Sequence, residues 1–595
     1  MSVAIAGAEY HGWRNRHAPV PVLVARLERK DGADWAFKLA PGAAAALRDG
    51  LTGMPPVTAN ADLAQIVAEI AQQLQFDADV TERHCGVAAR DGAAATIFFA
   101  ARDFYTSGAA LSGAVRIAAA LPQAGTDAFR RLLEQCADLV GEAGFDIYSR
   151  QMIAAAEARG IPWYRLNPPR RHVCLGQGAR TQMSREVMTG RQSALGRELV
   201  RDKYQQYRVL ARLGMPVGRH AFAQDKAGAL RAAATVGYPL VLKPTHGAKG
   251  KNVHLNLRDG AGLEAAFDLA ARYDKTFVLQ SLFTGEDYRL LVVAGRMIAA
   301  ARFEAAAVTG DGVRSNRQLV MEENRDPRRG RGTERLMNVI VMDDDFVRAV
   351  ASQGFKPDDV PPTGQRVTVR TNANLSVGGT AVDVTALVHP HNAELAVRAA
   401  RALDIDVAGL DVVMPDISRS WRETGGGICE VNLFPGLRLH YVADPGSDAA
   451  GAVIETLFPK GDDGRIPTVL VAGPGAAAVA EQVGVLLTAA GHVAGVETLE
   501  YVRIGDETVG GLRDVVLRDR GVTAAVLEID IASLDRGIAL DRCDVVALMP
   551  GAAPLPDVQQ TLLATGRRAL TLAEGDPARM AAIIAGTLEI AQKQP

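Results

Sequence analysis

Short apolar runs alternate with longer amphipathic stretches along most of this 595-residue chain. In residues 1–160, the runs VPVLVARLE and ATIFFAARD predict strands, whereas TDAFRRLLEQCADLV and QMIAAAEARG have the spacing of helices. The mixture of separate strands and helices predicts an N-terminal α+β domain over residues 1–160.

The pattern changes in residues 161–465, which predict a second domain of mixed α and β structure. A predicted helix around Arg201 to Leu213 is followed by an Ala-rich helix, AGALRAAATVG, then a β-branched run, YPLVLKP, and a glycine loop, THGAKGKN. The stretch FPKGDDGRIP is rich in Gly, Pro and Asp and predicts a linker at the end of this segment.

Residues 466–595 predict a third domain. Here the apolar runs TVLVAG, GHVAGVET, AAVLEID, DVVALMP and RALTLAE alternate with helical stretches. This βαβ rhythm is typical of a doubly wound parallel sheet. The whole chain is therefore expected to be a multidomain protein of the α/β and α+β classes.

Composition excludes several functional classes. Hydrophobic residues make up 48% of the chain, and 66 basic residues nearly balance 68 acidic ones, so no global charge indicates a nucleic-acid or membrane partner. No apolar run is long enough to predict a transmembrane helix, and the N-terminus lacks the pattern of a signal peptide. The five scattered cysteines form no CxxC pair and are typical of reduced thiols in a cytoplasmic protein.

The segment CEVNLFPG carries the most specific chemical signal. Glu430 and Asn432 are two residues apart, so both side chains point to one face of a strand. The upstream strand GLDVVMPD offers Asp411 as a third oxygen ligand. Carboxylate and amide oxygens suit Mg²⁺, which commonly bridges to nucleotide phosphates. The alternative is two ordinary strands with polar outer faces.

Lysines and glycines upstream form a candidate phosphate site. Lys243 ends the strand YPLVLK, and the loop after it contains Lys249 between Gly247 and Gly250. Such a loop lets backbone amides approach an anion, and its lysines add positive charge. Lys203, further upstream, is another candidate for contact with phosphate. The alternative is a surface hairpin with solvated lysines.

The segment FVLQSLFTGEDYRLLVV predicts a hinge that lines an adenine site through Gln280 and Leu282. Arg289 lies on the strand that follows, where its guanidinium can bind a carboxylate or a transferring phosphoryl group. The alternative for Arg289 is a structural ion pair with Asp287 or Glu286.

The segment RTNANLSVGGTAVDVT predicts a turn with several exposed amides and one hydroxyl, which suits a carboxylate or an acyl phosphate. Its candidate residues are Asn374, Ser376, Gly378 and Gly379. The alternative is a plain turn.

Taken together, these motifs resemble the cyanophycin synthetases, whose first catalytic half is an ATP-grasp domain. The resemblance is carried in order by AAAEARGIPWYRLN, SALGRELVRDKYQQYRVLARLGMPV, NRDPRRGRGTE, VHPHNAELAVRAAR and PDISRSWRETGGGICEVNLFPGLRLH, and covers about residues 145–470. The ATP-grasp half of that family activates the C-terminal carboxylate of a poly-aspartate chain and joins an amine to it.

The resemblance assigns roles to the candidate residues. It implies that Asp411, Glu430 and Asn432 hold Mg²⁺, and that ATP contacts Lys203, Lys243, Lys249, Gln280 and Leu282. It further implies that Arg289, Ser376 and Gly378 are catalytic. Polymer or its dipeptide building block would contact Glu198, Asn374 and Gly379.

Two departures from the family pattern matter. Lys249 stands about where the family has a histidine, and Gln280 about where it has a hinge glutamate.

In residues 466–595, which resemble the start of the family's Mur-ligase-like half, GPGAAAVAEQ replaces a phosphate loop of the form GTNGKTT. Ala477 and Ala478 thus occupy the positions of the phosphate-binding lysine and the Mg²⁺-binding threonine. The chain also stops before the rest of that half, so we expect a truncated remnant without a working nucleotide site.

One ATP site predicts one kind of bond. The expected reaction is polymerisation of β-aspartyl-arginine dipeptides through an acyl phosphate, which matches a shorter member of the family. The alternatives are a ligase of the same class acting on another β-aspartyl dipeptide or amino acid, and a non-catalytic partner of a full-length synthetase. By the same resemblance, a homo-oligomer is expected.

Overall fold

The computed structural model describes the chain except at residues 1–2, 14, 33, 40–41, 52–53, 55–59, 76–82, 168–170, 247–251, 331–334, 511–513, 531–532, 534–535, 539, 552–564, 574 and 594–595. The chain divides into two compact units. Unit 1 comprises Met1–Phe145, Glu157–Met183 and Asp462–Pro595, and unit 2 comprises Asp146–Ala156 and Ser184–Gly461. The predicted segments 1–160 and 466–595 thus contribute to the same unit, while 161–465 supplies most of the other.

The N-terminal part of unit 1 is an antiparallel sheet covered by helices. The sheet order is β1-β2-β6-β5, and the apolar faces of β2, β6, α2 and α3 form one buried core. The bounds are β1 Val3–His11, β2 Val22–Arg29, β3 Ala36–Lys38, α1 Ala43–Gly50, β4 Asn60–Asp62, α2 Leu63–Leu74, β5 Cys85–Asp91, β6 Ala94–Ala100, α3 Phe104–Ala120 and α4 Asp127–Ala143.

The next elements are short. They are α5 Ile147–Glu157, β7 Trp163–Arg165, β8 His172–Leu175, β9 Gln182–Arg185 and β10 Met188–Thr189. Strand β7 pairs with β8, and β9 pairs with β10, both antiparallel.

Unit 2 contains a four-stranded sheet of order β11-β14-β12-β13 that packs on α8 and α9. The elements in this part are α6 Ala194–Arg201, α7 Lys203–Arg212, β11 His220–Ala223, α8 Lys226–Val236, β12 Leu240–Pro244, β13 His254–Leu257, α9 Gly260–Ala270 and β14 Phe277–Ser281. Asp202 separates α6 from α7, because its extended backbone ends one helix while its carboxylate caps the next.

The second sheet of unit 2 has five strands in the order β21-β16-β15-β22-β23. Its elements and those around it are β15 Glu286–Val293, β16 Arg296–Glu304, β17 Ala307–Thr309, α10 Asn316–Glu323, β18 Arg329–Gly330, β19 Met337–Asn338, α11 Asp344–Ala351, β20 Arg366–Thr368, β21 Thr380–Asp383, α12 Pro390–Ala402, β22 Val407–Met414, α13 Trp421–Thr424, β23 Gly427–Asn432, α14 Arg438–Ala443 and α15 Ala449–Leu457. One face of this sheet buries a core with α7 and α12, and β23 lies at its edge.

The C-terminal part of unit 1 is a largely parallel sheet of order β27-β26-β25-β28-β24-β29-β30, in which β26 runs antiparallel to both of its neighbours, β25 and β27. The elements are β24 Thr468–Ala472, α16 Ala476–Ala489, β25 Ala494–Glu497, β26 Val502–Ile504, β27 Glu507–Val509, α17 Val515–Arg518, β28 Ala524–Ile529, β29 Cys543–Leu548, β30 Gly566–Thr571 and α18 Pro577–Lys593. The strands bury apolar clusters on both faces, as parallel sheets require. The multidomain α/β and α+β prediction is confirmed.

Within unit 1, backbone hydrogen bonds join the N-terminal part to the C-terminal sheet. The Gly12 and Trp13 amides donate to carbonyls at Arg536 and Ile538, 2.9 Å each, and the Ala179 amide donates to the Val522 carbonyl at 2.8 Å. No described helix is long and apolar enough to cross a membrane.

Candidate active site

Three neighbouring strands of unit 2 bring the candidate metal ligands together. Arg289 on β15 pairs in register with Asp411 on β22, and Asp411 pairs in register with Glu430 on β23. Asn432 lies two residues beyond Glu430, so it emerges on the same face. The sequence prediction that these polar side chains meet agrees with the strand pairing.

The Asp411 carboxylate receives three hydrogen bonds. The Arg289 guanidinium donates from Nε and Nη2, at 2.7 Å each, and the Asn432 side-chain amide donates at 3.0 Å. The Arg289 partner is therefore Asp411, and neither Asp287 nor Glu286 forms the ion pair considered from sequence. Burial opposes the charge of Arg289, but Asp411 outweighs it and leaves the arginine pKa raised.

Glu430 forms the second ion pair of the cluster. Lys203 is the first residue of α7, and its Nζ lies 3.0 Å from Glu430 Oε1. The ammonium group is nearly inaccessible, whereas the Glu430 side chain stays 29% exposed. The carboxylate is thus paired on its inner side and open to a ligand on its outer side.

Lys243 approaches the same cluster from the four-stranded sheet. Val241, two residues before Lys243 on β12, pairs in register with Gln280 on β14. Lys243 and Gln280 therefore form a diagonal pair on one face of the sheet. Lys243 Nζ donates to Gln280 Oε1 at 2.7 Å and to the Cys429 carbonyl at 3.2 Å. Burial lowers the pKa of Lys243 below its usual value.

A β-bulge explains why the Cys429 carbonyl is available. Asp411 pairs with Glu430 while the next residue, Val412, pairs with Ile428, so Cys429 is the extra residue of β23. Its carbonyl accepts from Lys243 and from the Tyr207 hydroxyl. The bulge therefore joins the metal-ligand strand to the lysine of the other sheet.

Small residues allow the loop after β23 to close over the site. A Cβ at Gly409 would lie 2.6 Å from Pro435 Cβ and 3.5 Å from Arg289 Cδ. A Cβ at Gly436 would lie 2.9 Å from the Tyr148 hydroxyl. Packing thus favours glycine at both of these positions.

The donor set fits Mg²⁺. It offers two carboxylates and one amide oxygen on one sheet face, and both carboxylates are partly accessible, at 25% for Asp411 and 29% for Glu430. No group of three His, Cys, Asp or Glu residues in the described chain could hold a metal by itself. A cation here would complete its coordination with phosphate oxygens and water, as Mg²⁺ usually does.

The candidate hinge residues lie at the end of β14, with Gln280 inside the strand and Leu282 directly after it, and their adenine-binding role stays a prediction. Gln280 is buried, and its amide donates to the carbonyls of Val217 and Ile428. The Leu282 backbone N–H donates to the Pro239 carbonyl at 3.1 Å. Lys249 and the glycines of its loop lie outside the described residues.

At the second candidate turn, three of the backbone amides are used within the turn itself, and the anion-binding role of this turn stays a prediction. Asn374 to Gly379 form a 3₁₀ turn in which the N–H groups of Val377, Gly378 and Gly379 donate to carbonyls inside the turn, at 3.1–3.2 Å. A 3₁₀ turn uses these donors for its own closure, so they cannot bind an anion.

The remaining groups of this turn are differently placed. Ser376 is exposed, Gly378 adopts φ +98° against Ile340, and the Gly378 carbonyl accepts from Arg329 at 3.1 Å. Among the described residues, no hydrogen bond or ion pair joins the turn to Arg289 or Asp411. A catalytic role for Ser376 stays a prediction.

Glu198 lines a groove of about 1030 Å³ along α6. Arg197, Arg201, Asp202 and His246 also line it. The groove thus presents charges of both signs next to the start of the glycine loop. Such a surface can bind a ligand that itself carries both charges.

Sequence reasoning missed two residues of α7. Gln206 and Tyr207 follow Lys203 by three and four positions, so all three lie on one helix face. Gln206 bonds to the backbone of Val431 and Tyr207 to that of Cys429. The helical spacing relative to Lys203 was the available signal.

In the C-terminal sheet, β24 leads through Gly473 and Gly475, both with positive φ, into α16. The strand, loop and helix of a phosphate loop are therefore present. Ala477 and Ala478 lie in the first turn of the helix and provide neither a charge nor a hydroxyl.

Two sheets that face a shared cluster of lysines, carboxylates and an amide define the ATP-grasp class. No protein-family model matches the chain. The chain is 34% identical over 435 residues to the cyanophycin synthetase of Nostoc sp. This match covers 71% of the chain and 48% of that protein. The chain is also 35% identical over 457 residues to the cyanophycin synthetase of Synechocystis sp., covering 74% and 52%.

Over about 70% of its length the chain is thus similar to the cyanophycin synthetases, and it fits a member of that family. The chain spans about half the length of these curated relatives. A bifunctional glutathione synthetase from Pasteurella multocida is a more distant structural neighbour, with TM-score 0.45 and 24% identity, covering 58% of this chain and 49% of that one.

Proposed function

We propose that this protein is an ATP-dependent ligase that joins β-aspartyl-arginine dipeptides to a growing polymer at one ATP-grasp site. The observation that carries the proposal is the cluster in which Lys203, Lys243 and Arg289 surround the facing pair Asp411 and Glu430. These groups match the charges of Mg²⁺ and a nucleotide triphosphate.

In this proposal, Asp411, Glu430 and Asn432 hold Mg²⁺, which neutralises charge on the phosphates when bound. Lys203 and Lys243 bind phosphate oxygens, and Gln280 keeps the Lys243 ammonium aimed at them. The two Arg289 N–H groups that donate to Asp411 can donate instead to the reacting carboxylate or phosphoryl group. Glu198 and the flanking arginines of the groove bind the polar side chains of the polymer.

The reaction has two bond exchanges. A carboxylate oxygen at the polymer C-terminus attacks the γ-phosphorus, the bond to the β-phosphate oxygen breaks, and ADP leaves. The α-amine of the incoming dipeptide then attacks the acyl carbon, and inorganic phosphate leaves with the bonding pair. The amine proton passes to solvent, so the site mainly has to position the reactants and stabilise charge.

The choice of a dipeptide rests on the number of nucleotide sites. Assembly from free aspartate and arginine needs two kinds of amide bond, whereas Ala477 and Ala478 leave the C-terminal sheet without the groups that bind phosphate. One site can still make the polymer if the side-chain amide is already present in the substrate.

The test is ADP release and chain growth by the purified protein with Mg²⁺-ATP and a short polymer primer. One sample receives β-aspartyl-arginine, and the other receives free aspartate and arginine. We expect turnover and growth with the dipeptide alone. Growth with free amino acids only would refute the single-site proposal, and silence with every β-aspartyl dipeptide would favour a non-catalytic partner.

A further inference from the structure

The side-chain amide of Gln206 hydrogen-bonds to the edge of the five-stranded sheet in the way that a neighbouring strand would. Gln206 is 0% exposed, and its side-chain amide makes two 2.9 Å hydrogen bonds to one residue, Val431. Nε2 donates to the Val431 carbonyl, and Oε1 accepts from the Val431 amide. A primary amide can pair with a backbone residue in this way because it carries the same donor and acceptor.

Val431 lies between the two ligands of β23, Glu430 and Asn432. Among the strands that the structure describes, β23 lies at the edge of its sheet, so its outward N–H and C=O groups face no further strand of this set. Gln206 fixes the peptide units on both sides of Val431, and these carry the Glu430 and Asn432 side chains. A rotation of this residue would turn both side chains away from Asp411.

The same helix supports the strand at two further points. Tyr207 donates its hydroxyl to the Cys429 carbonyl, and Lys203 binds the Glu430 carboxylate at 3.0 Å. Three consecutive contacts along β23 thus come from one face of α7. The helix therefore fixes the strand backbone and one ligand side chain together.

We propose that Gln206 is a positioning residue that sets the affinity of this site for a divalent cation by holding the Val431 backbone. The inference rests on the proposed function, because it assigns the cation to Asp411, Glu430 and Asn432. Residues that orient metal ligands commonly change metal affinity by about 10- to 100-fold when they are replaced.

The experiment measures Mn²⁺ binding in the presence of ADP by the loss of the free-ion EPR signal, without substrate turnover. Gln206→Met keeps the side-chain length and removes both hydrogen bonds. We expect its Mn²⁺ affinity to fall at least about tenfold, with ADP affinity measured without metal changed less than about twofold. Gln205→Met is the matched control, since Gln205 is the exposed neighbour on the same helix.

Gln206→Asn provides a second test if Gln206→Met fails to fold, because the shorter amide stays polar but cannot reach both backbone groups. A folded Gln206 variant with wild-type Mn²⁺ affinity would overturn the inference. Equal losses in the Gln205 and Gln206 variants would also overturn it, because the effect would then belong to the helix in general. A wild-type protein that binds neither Mn²⁺ nor ADP would instead refute the proposed function.

Discussion

Arg289 and Asp411 lie directly opposite each other on β15 and β22, and two 2.7 Å hydrogen bonds join their charged groups. Lys203 and Glu430 form a second pair at 3.0 Å. The carboxylates proposed to hold a cation are thus occupied by the bases proposed to hold phosphate. When Mg²⁺ and nucleotide bind together, the carboxylates can pair with the cation and the Arg289 and Lys203 side chains with phosphate. No buried charge is then left without an opposite charge.

The first prediction concerns Asp411. Asp411→Asn keeps the shape of the side chain but removes the charge shared by Arg289 and the proposed cation. We expect the dipeptide-dependent rate of ADP release to fall by about 100-fold or more, as when a preorganised electrostatic group is lost from an active site. Circular dichroism of the variant tests folding, and a folded variant with wild-type rates would refute the metal assignment.

The second prediction follows from the Lys203–Glu430 pair. Glu430→Gln releases the Lys203 ammonium for a phosphate, so ADP should bind more tightly in the absence of metal. A charge-assisted hydrogen bond of about 1.5–3 kcal/mol corresponds to a gain of about tenfold or more. Calorimetric titration with ADP in EDTA measures it.

Glu455→Gln is the control for that titration, because Glu455 is exposed and its ion pair with Arg296 is long, at 3.8 Å. Its ADP affinity should equal that of the wild type. Unchanged or weaker metal-free binding by Glu430→Gln would show that the pair does not compete with the nucleotide.

The third prediction is a pH dependence set by Lys243. Burial lowers the pKa of Lys243 below the ordinary lysine value of 10.5, so the charged form is lost in the alkaline range before an exposed lysine titrates. ATP binding should weaken as pH rises through that lowered pKa.

In the same window the unfolded chain binds more protons than the folded one, so this group makes the free energy of unfolding rise with pH.

Lys243→Arg tests the assignment, because a guanidinium stays charged over the whole range. Its ATP affinity, measured by fluorescence titration, should be lower than that of the wild type but should lack the alkaline decline. An identical alkaline decline in this variant would assign the titration to another group.

The fourth prediction concerns the close contact at Gly409. Gly409→Ala places a methyl group 2.6 Å from Pro435 Cβ, so the Pro-Gly loop has to move away from Arg289. We expect a loss of about 1–3 kcal/mol in the free energy of unfolding, measured with urea, and a reduced rate of ADP release. Gly108→Ala is the control, since a Cβ at Gly108 in α3 meets nothing within 4 Å; it should be neutral or slightly stabilising.

The fifth prediction concerns the C-terminal sheet. Ala477→Lys adds a charge to the first turn of α16 but leaves Ala478 without a hydroxyl for Mg²⁺. We expect no incorporation of labelled free arginine into the polymer by this variant. Incorporation would show that the second half of the family's reaction is retained in this part of the chain.

Strand periodicity was sufficient to predict which candidate side chains share a face. Glu430 and Asn432 share a face because side chains alternate along any strand, and Lys243 follows a recognisable apolar run. Lys203 was a candidate for phosphate binding from the sequence, but its contact with Glu430 depends on how α7 docks against β23. Spacing within one element is a local property of the covalent chain, so it can be interpreted without knowing the fold.

Pairing between elements was not predictable in this way. The partner of Arg289 is Asp411, more than a hundred residues away, because β22 is the neighbour of β15, whereas the nearby acids Asp287 and Glu286 do not pair with it. At the candidate anion site from Asn374 to Gly379, the N–H groups of Val377, Gly378 and Gly379 donate within the turn itself, which the sequence did not indicate. Local composition does not reveal which donors the folded backbone has already used.

The sequence by itself therefore determined the kinds of element, the order of the candidate residues along the chain and the resemblance to the cyanophycin synthetases. Only the tertiary structure decided that the first and last predicted segments share one compact unit. It also decided that a bulge at Cys429 and the amide of Gln206 hold the edge strand of the site. The physical reason is that hydrogen bonds at a sheet edge are satisfied by whichever side chains the fold brings there, at any distance in sequence.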